Sequence, residues 1–383
     1  MEKTKVSDTA GNSTGRVLIA ADKFKGSLTA VQVAAHVAAG LRSVVPGLDV
    51  TELPVADGGD GTVDAAVAAG FERRTVRVTG PIGETVEAAY ALRDGTAVVE
   101  MAEASGLRRL PPGIFAPLTA TTYGTGELLR AALDAGARTI VLGVGGSATT
   151  DGGAGMLSAL GARLLDAEGA PVAPGGAALA GLATADLGDL DPRLASTEVV
   201  LAGDVDNPLL GPKGAAAVYG PQKGASVEDV AALDAALAQF VLVLGAADEA
   251  QAPGAGAAGG IGFGALVGLQ ASFRPGIEVL LDVLGFEAAL DGVTLVITGE
   301  GSLDEQSLHG KAPVGVARAA RARGIDVVAV CGRLTLPPAA LGHAGIRRAY
   351  SLADLEPDPA RSMSDAAPLL ERLSSHLAQD FLT

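Results

Sequence analysis

The densest run of reactive side chains is TGEGSLDEQSLHGKAP, Thr298–Pro313, where Glu300, Asp304, Gln306, His309 and Lys311 fall within twelve positions. DKFKGS, Asp22–Ser27, places Lys23 and Lys25 where an apolar run gives way to a helical pattern. Two ammonium groups and a helix N-terminus can converge there on an anion. ADGGDGT sets Asp57 and Asp60 around two glycines, without EF-hand spacing. GDVDNPLLGPKG packs Asp204, Asp206 and Asn207 together. Paired carboxylates with an amide suit Mg²⁺ or the hydroxyls of a polar substrate. GPQKG adds Lys223 on an expected loop. VGGSATTDGGAG, Val144–Gly155, offers backbone N–H groups and hydroxyls to phosphate oxygens. Its carboxylate, Asp151, would repel a bare phosphate but welcome one carrying Mg²⁺.

Carboxylates, lysines and glycine loops are an inventory for phosphoryl transfer. Cations neutralise phosphate oxygens, carboxylates hold Mg²⁺, and one carboxylate can orient or deprotonate an alcohol. A Walker A loop is missing, because the only Gly-Lys pair, Gly310–Lys311, is followed by Ala312. HRD, DFG and GxSxG elements are also missing. Isolated histidines and one cysteine, Cys331 in an apolar run, leave no zinc ligand set. Two other readings stand beside a kinase. Gly143-x-Gly145-x-x-Ala148 matches a relaxed dinucleotide fingerprint, with Asp166 at the end of a short apolar run about 20 residues on. That would make a nucleotide-dependent dehydrogenase of a small hydroxy acid, although 53 glycines produce such matches by chance. A non-enzymatic sugar-acid or nucleotide sensor is the third reading, with no helix-turn-helix or basic output segment to support it.

The elements that must position these residues alternate between strand-like and helix-like runs, the α/β pattern. Asp22, Asp57, Asp204 and Glu300 follow the C-terminal ends of expected strands, where open parallel sheets bind ligands. Arg74–Glu100 instead shows period-two stretches and short turns, which read as antiparallel strands. Ser27 is the expected cap of the first helix, and Ser226 with Asp229 the capping box of a later one. Residues 170–194 read as a connection, and APGAGAAGGIGFGAL, 252–266, as a flexible glycine-rich stretch. A chain of 383 residues, 48% hydrophobic, is too long for one ordinary core, so two domains are expected.

The formal charge of −16 and the absence of tryptophan argue against nucleic-acid binding, while local cations still allow a small anion. No apolar run reaches the roughly 20 residues that cross a bilayer. The polar start lacks the apolar core of a signal peptide, and a lone cysteine fits a reducing cytosol.

In order along the chain, DKFKGSLTA, PVADGGDGT, TGPIGE, TTYGTGELLRAAL, GVGGSATTDGGAGML, DVDNPLLGPKGAA, GPQKGA, PGAGAAGGIGFGAL, RPGIE and TGEGSLDEQSLHGKAPVGVA resemble the bacterial (type I, ATP-dependent) glycerate kinase family, from about Arg16 to the C-terminal helix. The resemblance implies phosphorylation of D-glycerate by ATP with Mg²⁺, in the cytoplasm. It leaves 2- and 3-phosphoglycerate, and monomer and homodimer, open. It implies a discontinuous Rossmann-like parallel-sheet domain with a second inserted α/β domain and a cleft between them. The expected pieces are 1–75, 120–160 and 286–383 for the first domain and 76–119 and 161–285 for the second, with 1–15 a flexible tail. Two positions depart from the family pattern: Lys23 often matches Ser there, and Gly203 often matches Cys.

Side-chain chemistry then suggests roles. Asp204 positions or deprotonates the hydroxyl, with Asp57 second, and Lys25 and Lys311 neutralise phosphate or carboxylate. Lys23, Asp206, Asn207, Lys223 and Arg274 are candidates for substrate binding. Gly145, Gly146, Ser147, Thr149, Thr150, Gly152, Gly153, Glu300 and Gly301 are candidates for the nucleotide, and Asp151 and Asp304 for the metal.

Overall fold

The structure is a computed structural model that describes residues 15–383; the expected tail, up to residue 14, and the His309 side chain lie outside the described residues. The strands, in chain order, are β1 Arg16–Ala21, β2 Val50–Glu52, β3 Glu72–Thr79, β4 Thr85–Arg93, β5 Thr96–Glu100, β6 Thr139–Gly143, β7 Arg163–Leu165, β8 Thr184–Asp186, β9 Glu198–Gly203, β10 Ser272–Pro275, β11 Val293–Leu303, β12 Asp326–Leu334 and β13 Arg348–Ser351.

β2-β1-β11-β12-β13 form a five-stranded sheet, parallel throughout. β1 reads VLIAA with no polar alternation because both of its faces are covered. Val17, Ile19 and Ala21 face the helices Ala30–Val44 and Ala366–Phe381. Leu18 and Ala20 face the helices Gly276–Leu284 and Ala312–Ala322. In order of appearance the strands lie 2-1-3-4-5, so the chain reverses direction across the sheet between β1 and β11, a topological switch point. The first helix is capped by Thr29, not Ser27: Thr29 Oγ1 accepts from Gln32 N–H at 3.2 Å and Gln32 Oε1 accepts from Thr29 N–H at 2.9 Å. Ser27 closes the preceding loop instead, donating to Phe24 O at 3.1 Å.

The second sheet has the order β10-β9-β6-β5-β4-β3, antiparallel from β3 to β5 as expected and parallel from β5 to β10. This corrects the domain expectation for 120–160. The helix Tyr123–Asp134 is the crossover that returns β6 parallel to β5, so this segment continues the sheet begun by the antiparallel strands. Pieces near the two ends do build the five-stranded sheet. One core joins the sheets, with Leu18 and Ala20 of β1 packed in the same cluster as Val98 of β5, Val141 of β6 and Ile277.

Two further expectations change. The glycine-rich stretch around 252–266 contributes most of the helix Ala257–Leu269, buried over Ala257–Ala265, with left-handed backbone at Ala258, Gly259 and Gly260. A Cβ on Gly259 would lie 1.8 Å from Thr149 O, and one on Gly264 3.0 Å from Gly153 Cα. The glycines therefore serve backbone-to-backbone packing, not flexibility. The connection at 170–194 also packs inward, burying Leu179, Leu182 and Leu194 against that sheet's core. The Ser226–Asp229 capping box is present on the helix Val227–Leu244. Among the described residues, no helix is long and apolar enough to cross a membrane.

Candidate active site

The C-terminal ends of the parallel strands of both sheets open on one cleft of about 1080 Å³. β1 delivers Asp22, Lys23 and Lys25, and the loop after β2 delivers Asp57–Asp60. β6 ends in Val144–Ser147, β9 in Asp204, and β11 in Glu300 and Gly301. The switch point between β1 and β11 therefore lies at the charged part of the cleft.

Glycines bring the loops together. Gly58 has φ +94°, and a Cβ there would lie 2.5 Å from Ala202 O of β9. A Cβ on Gly145 would lie 2.5 Å from Gly59 Cα. The Asp57–Asp60 loop is thus pressed as bare backbone across the ends of β6 and β9. Gly276 closes the third side: a Cβ there would lie 1.9 Å from Asp57 O and 3.2 Å from Asp204 Oδ1.

The electrostatics follow from crowding acids in a partly desolvated space. Burial pushes the Asp22 carboxyl up to about 7, against the pull of Lys23 and with a push from Asp57. Burial likewise pushes Glu300 up to about 7, opposed by the Ser307 hydroxyl and by Lys311, and its Oε1 has no partner. Asp204 is reached by cleft solvent but ringed by protein. Desolvation and the neighbouring Asp57 carboxyl raise it well above the carboxylate range, while Lys311 pulls it down. The Asp57 carboxyl stands beside Asp204 in the same cleft, so its negative charge disfavours ionising Asp204. Lys23 is drawn down by burial, but Asp22, Asp57 and Asp60 outweigh that and hold it above its ordinary value. Its Nζ lies 3.5 Å from Asp22 Oδ1.

The structure brings Asp204, Asp57, Lys25, Lys311, Lys23, Gly145, Gly146, Ser147, Glu300, Gly301 and Asp304 to this cleft. It keeps the others away. Asp151 is fully buried and accepts from Thr122 N–H and Oγ1–H at 2.8 and 2.9 Å and from Gly153 and Gly155 N–H at 3.1 and 3.2 Å. A carboxylate so occupied organises the start of the helix Ala154–Ala159 and has no face for a metal. Lys223 is buried beside it, donating to Thr149 O at 2.6 Å; burial lowers its ammonium to about 7 against the pull of Asp151. Thr149, Thr150, Gly152 and Gly153 belong to the same interior, under the helix Ala257–Leu269.

Arg274 pairs with Asp282 at 2.8 Å, outside the cleft. Asn207 accepts from the Tyr219 hydroxyl at 2.6 Å and donates to Lys213 O at 2.8 Å, so it braces a wall, while exposed Asp206 is not among the lining residues. Asp304 lines the cleft, but its oxygens accept from Gln306 N–H and Ser302 Oγ–H, both at 3.0 Å, which makes it a turn cap. Among the described residues, no group of three or more His, Cys, Asp or Glu side chains is arranged to hold a metal by itself. Asp166, the acid of the dinucleotide fingerprint, accepts from Glu168 and Ala170 N–H in an exposed turn.

Asp22 was expected at a strand end that binds ligands and Asp60 in a glycine turn, but neither was given a role; both line the cleft. Arg333 and the segment 352–363, which also reach the cleft, carried no signal in the sequence. Cys331 is buried in β12, and burial pushes its thiol up to about 12.

Two open sheets whose parallel strands end at one acid- and lysine-lined cleft define an α/β enzyme for a small anionic substrate. A family model described as the glycerate kinase family matches residues 17–382, and the chain belongs to that family. It is 45% identical to the glycerate kinase of Bacillus subtilis (strain 168) over 370 residues, covering 95% of this chain and 97% of the relative. It is 45% identical to the glycerate 2-kinase of Escherichia coli (strain K12) over 344 residues, covering 88% and 90%. A crystal structure described as a putative glycerate kinase 2 from Salmonella typhimurium LT2 superposes with a TM-score of 0.82 at 42% identity, covering 96% of this chain and 98% of that one.

Proposed function

We propose that the protein transfers the γ-phosphoryl group of ATP to the 2-hydroxyl of D-glycerate in the cytoplasm. The observation that carries this reading is the Asp204–Asp57 pair facing Lys311 where the strands of both sheets end. Family membership supports the reaction class, and the 45%-identical relative named glycerate 2-kinase supports the 2-position.

Asp204 accepts the proton of the substrate hydroxyl as its oxygen bonds to the γ-phosphorus and the bond to the β-phosphate oxygen breaks. Asp57 shares the pair's charge and keeps Asp204 basic enough for that task. Lys311 and Lys25 offset charge on the phosphates, and Lys23 offsets the acids at the switch point or the glycerate carboxylate.

The acids also fit a Mg²⁺ ion carried in by the nucleotide. Glu300 Oε1 is a buried oxygen without a hydrogen-bond partner, Asp22 is near enough to feel the Glu300 charge, and Mg²⁺ needs only one or two carboxylates once phosphates and water supply the rest. Glu300 and Asp22, both lining the cleft, would hold it. Bound there, Mg²⁺ would neutralise charge on the transferring phosphoryl group.

Proton-coupled phosphorus NMR of the product tests the position: the 2-ester gives a doublet from one methine proton, and the 3-ester a triplet from the methylene. A triplet would overturn the assignment of the hydroxyl. ATP-independent reduction of a nicotinamide cofactor would overturn the kinase itself.

A further inference from the structure

The cleft has two arms of different chemistry. The inner arm holds Asp22, Asp57, Asp204, Glu300, Lys23 and Lys311. The outer arm runs over the ends of β12 and β13, where Leu352, Ala353, Pro357, Pro359 and Met363 form its walls. Arg333 and Glu356 are its charged groups.

Bare backbone joins the arms. A Cβ on Gly332 would lie 2.6 Å from Gly301 O, and one on Gly301 would lie 3.2 Å from Lys25 N. Met363, 51% exposed, reaches back towards the loop after β1, its Cε 3.0 Å from where a Cβ of Gly26 would stand. Ser351 Oγ fixes the opposite wall, donating to Gly332 O at 3.1 Å and accepting from Ala353 N–H at 3.2 Å.

Glycerate has a carboxylate and two hydroxyls on three carbons, so it gains nothing from an apolar slot. A flat heterocycle does, and an adaptable methionine thioether packs well on an aromatic face. A nucleotide with its phosphates in the inner arm must also put its base somewhere along this cleft. With Thr149–Gly153 in the interior, the other expected loop keeps only Val144–Ser147 at the cleft, a stretch with one apolar side chain and no slot of its own.

We propose that the purine base of the nucleotide sits in the slot between Met363 and the Leu352–Ala353 turn, with its phosphates passing over Gly332 and Gly301 towards Lys25 and Lys311. This rests on the ATP dependence proposed above. The base-binding segment is thus residues 352–363, not the glycine-rich loop after β6.

Photolabelling of the full-length enzyme with 2-azido-ATP, with and without excess ATP, followed by peptide mapping, tests it. The expected result is ATP-protected label within residues 352–363. Protected label elsewhere, or no protected label in enzyme that still converts ATP and glycerate to ADP, overturns the base site and leaves the kinase reading standing. Enzyme that forms no ADP on adding glycerate overturns both. Independently, Met363→Glu should raise the KM for ATP about tenfold while the KM for glycerate stays within about twofold. An unchanged KM for ATP overturns the slot.

Discussion

At the scale of single residues, the cleft holds acids that resist ionising. Asp22 and Glu300, and Glu100 buried behind Arg108 nearby, are each pushed by burial up to about 7. An unfolded chain would release these protons near pH 4. Between about pH 4 and about pH 7 the folded protein binds more protons than the unfolded chain, so stability falls as pH rises through that window. Asp22→Asn removes one such group while keeping an oxygen for the Lys23 N–H, which Asp22 Oδ1 accepts at 2.6 Å. Thermal melts should show a gain of about 1–2 kcal/mol at pH 8 and none at pH 4, together with lost turnover. A gain equal at both pH values would contradict the assignment. Burial raises Asp151 too, but against four hydrogen bonds to its oxygens, and those bonds decide its substitution. With its oxygens accepting from backbone and Thr122 and Lys223 buried beside it, Asp151→Asn should destabilise by about 3 kcal/mol. Its Mg²⁺ dependence at low temperature should match the parent, and a shift in that dependence without a fall in Tm would restore the metal role. Asp204, Asp57, Lys25 and Lys311, which line the cleft, could be singled out from the sequence because each follows a strand or opens a helix. Thr149–Gly153 were misread for a physical reason: a glycine loop that feeds phosphate and one that packs under a helix have the same composition.

Elements carry the geometry. The helix Gly276–Leu284 starts against the Asp57 carbonyl, and only a residue without a Cβ fits there. Gly276→Ala must push the helix from the Asp57 loop, and displacements of about 1 Å at such sites cost up to about 100-fold. The expected result is a 10- to 100-fold loss in kcat, on the order of that limit, with helical circular dichroism retained. Gly285→Ala is the control, since nothing lies within 4 Å of its Cβ; there, φ +76° should cost stability alone. Equal activity losses in both variants would mean that backbone strain, not the Asp57 contact, is responsible. Most strands and long helices were readable from periodicity, including the antiparallel β3–β5 and the amphipathic last helix. The helix Ala257–Leu269 was not, because its glycines hide a helical period and the partner that orders it, the Thr149–Gly153 loop, is more than a hundred residues away in sequence.

For the molecule as a whole, the expected split of the chain put 120–160 with the pieces near the two ends, where the structure puts β6 in the other sheet. β6 pairs with β5 and β9, and local pattern does not encode that neighbour. The pairing brings the β9 carboxylate Asp204 into one cleft with groups from β1, β2 and β11, so neither sheet alone contains the candidate site. A protein with formal charge −16 thereby presents lysines to an anionic ligand at one place.

The most direct measurement is steady-state ADP release by Asp204→Asn with saturating ATP and D-glycerate. Loss of a proton-accepting carboxylate should lower kcat by about 10²–10⁴-fold with the melting temperature unchanged or raised. Turnover equal to that of the parent enzyme would show that the chemistry lies elsewhere.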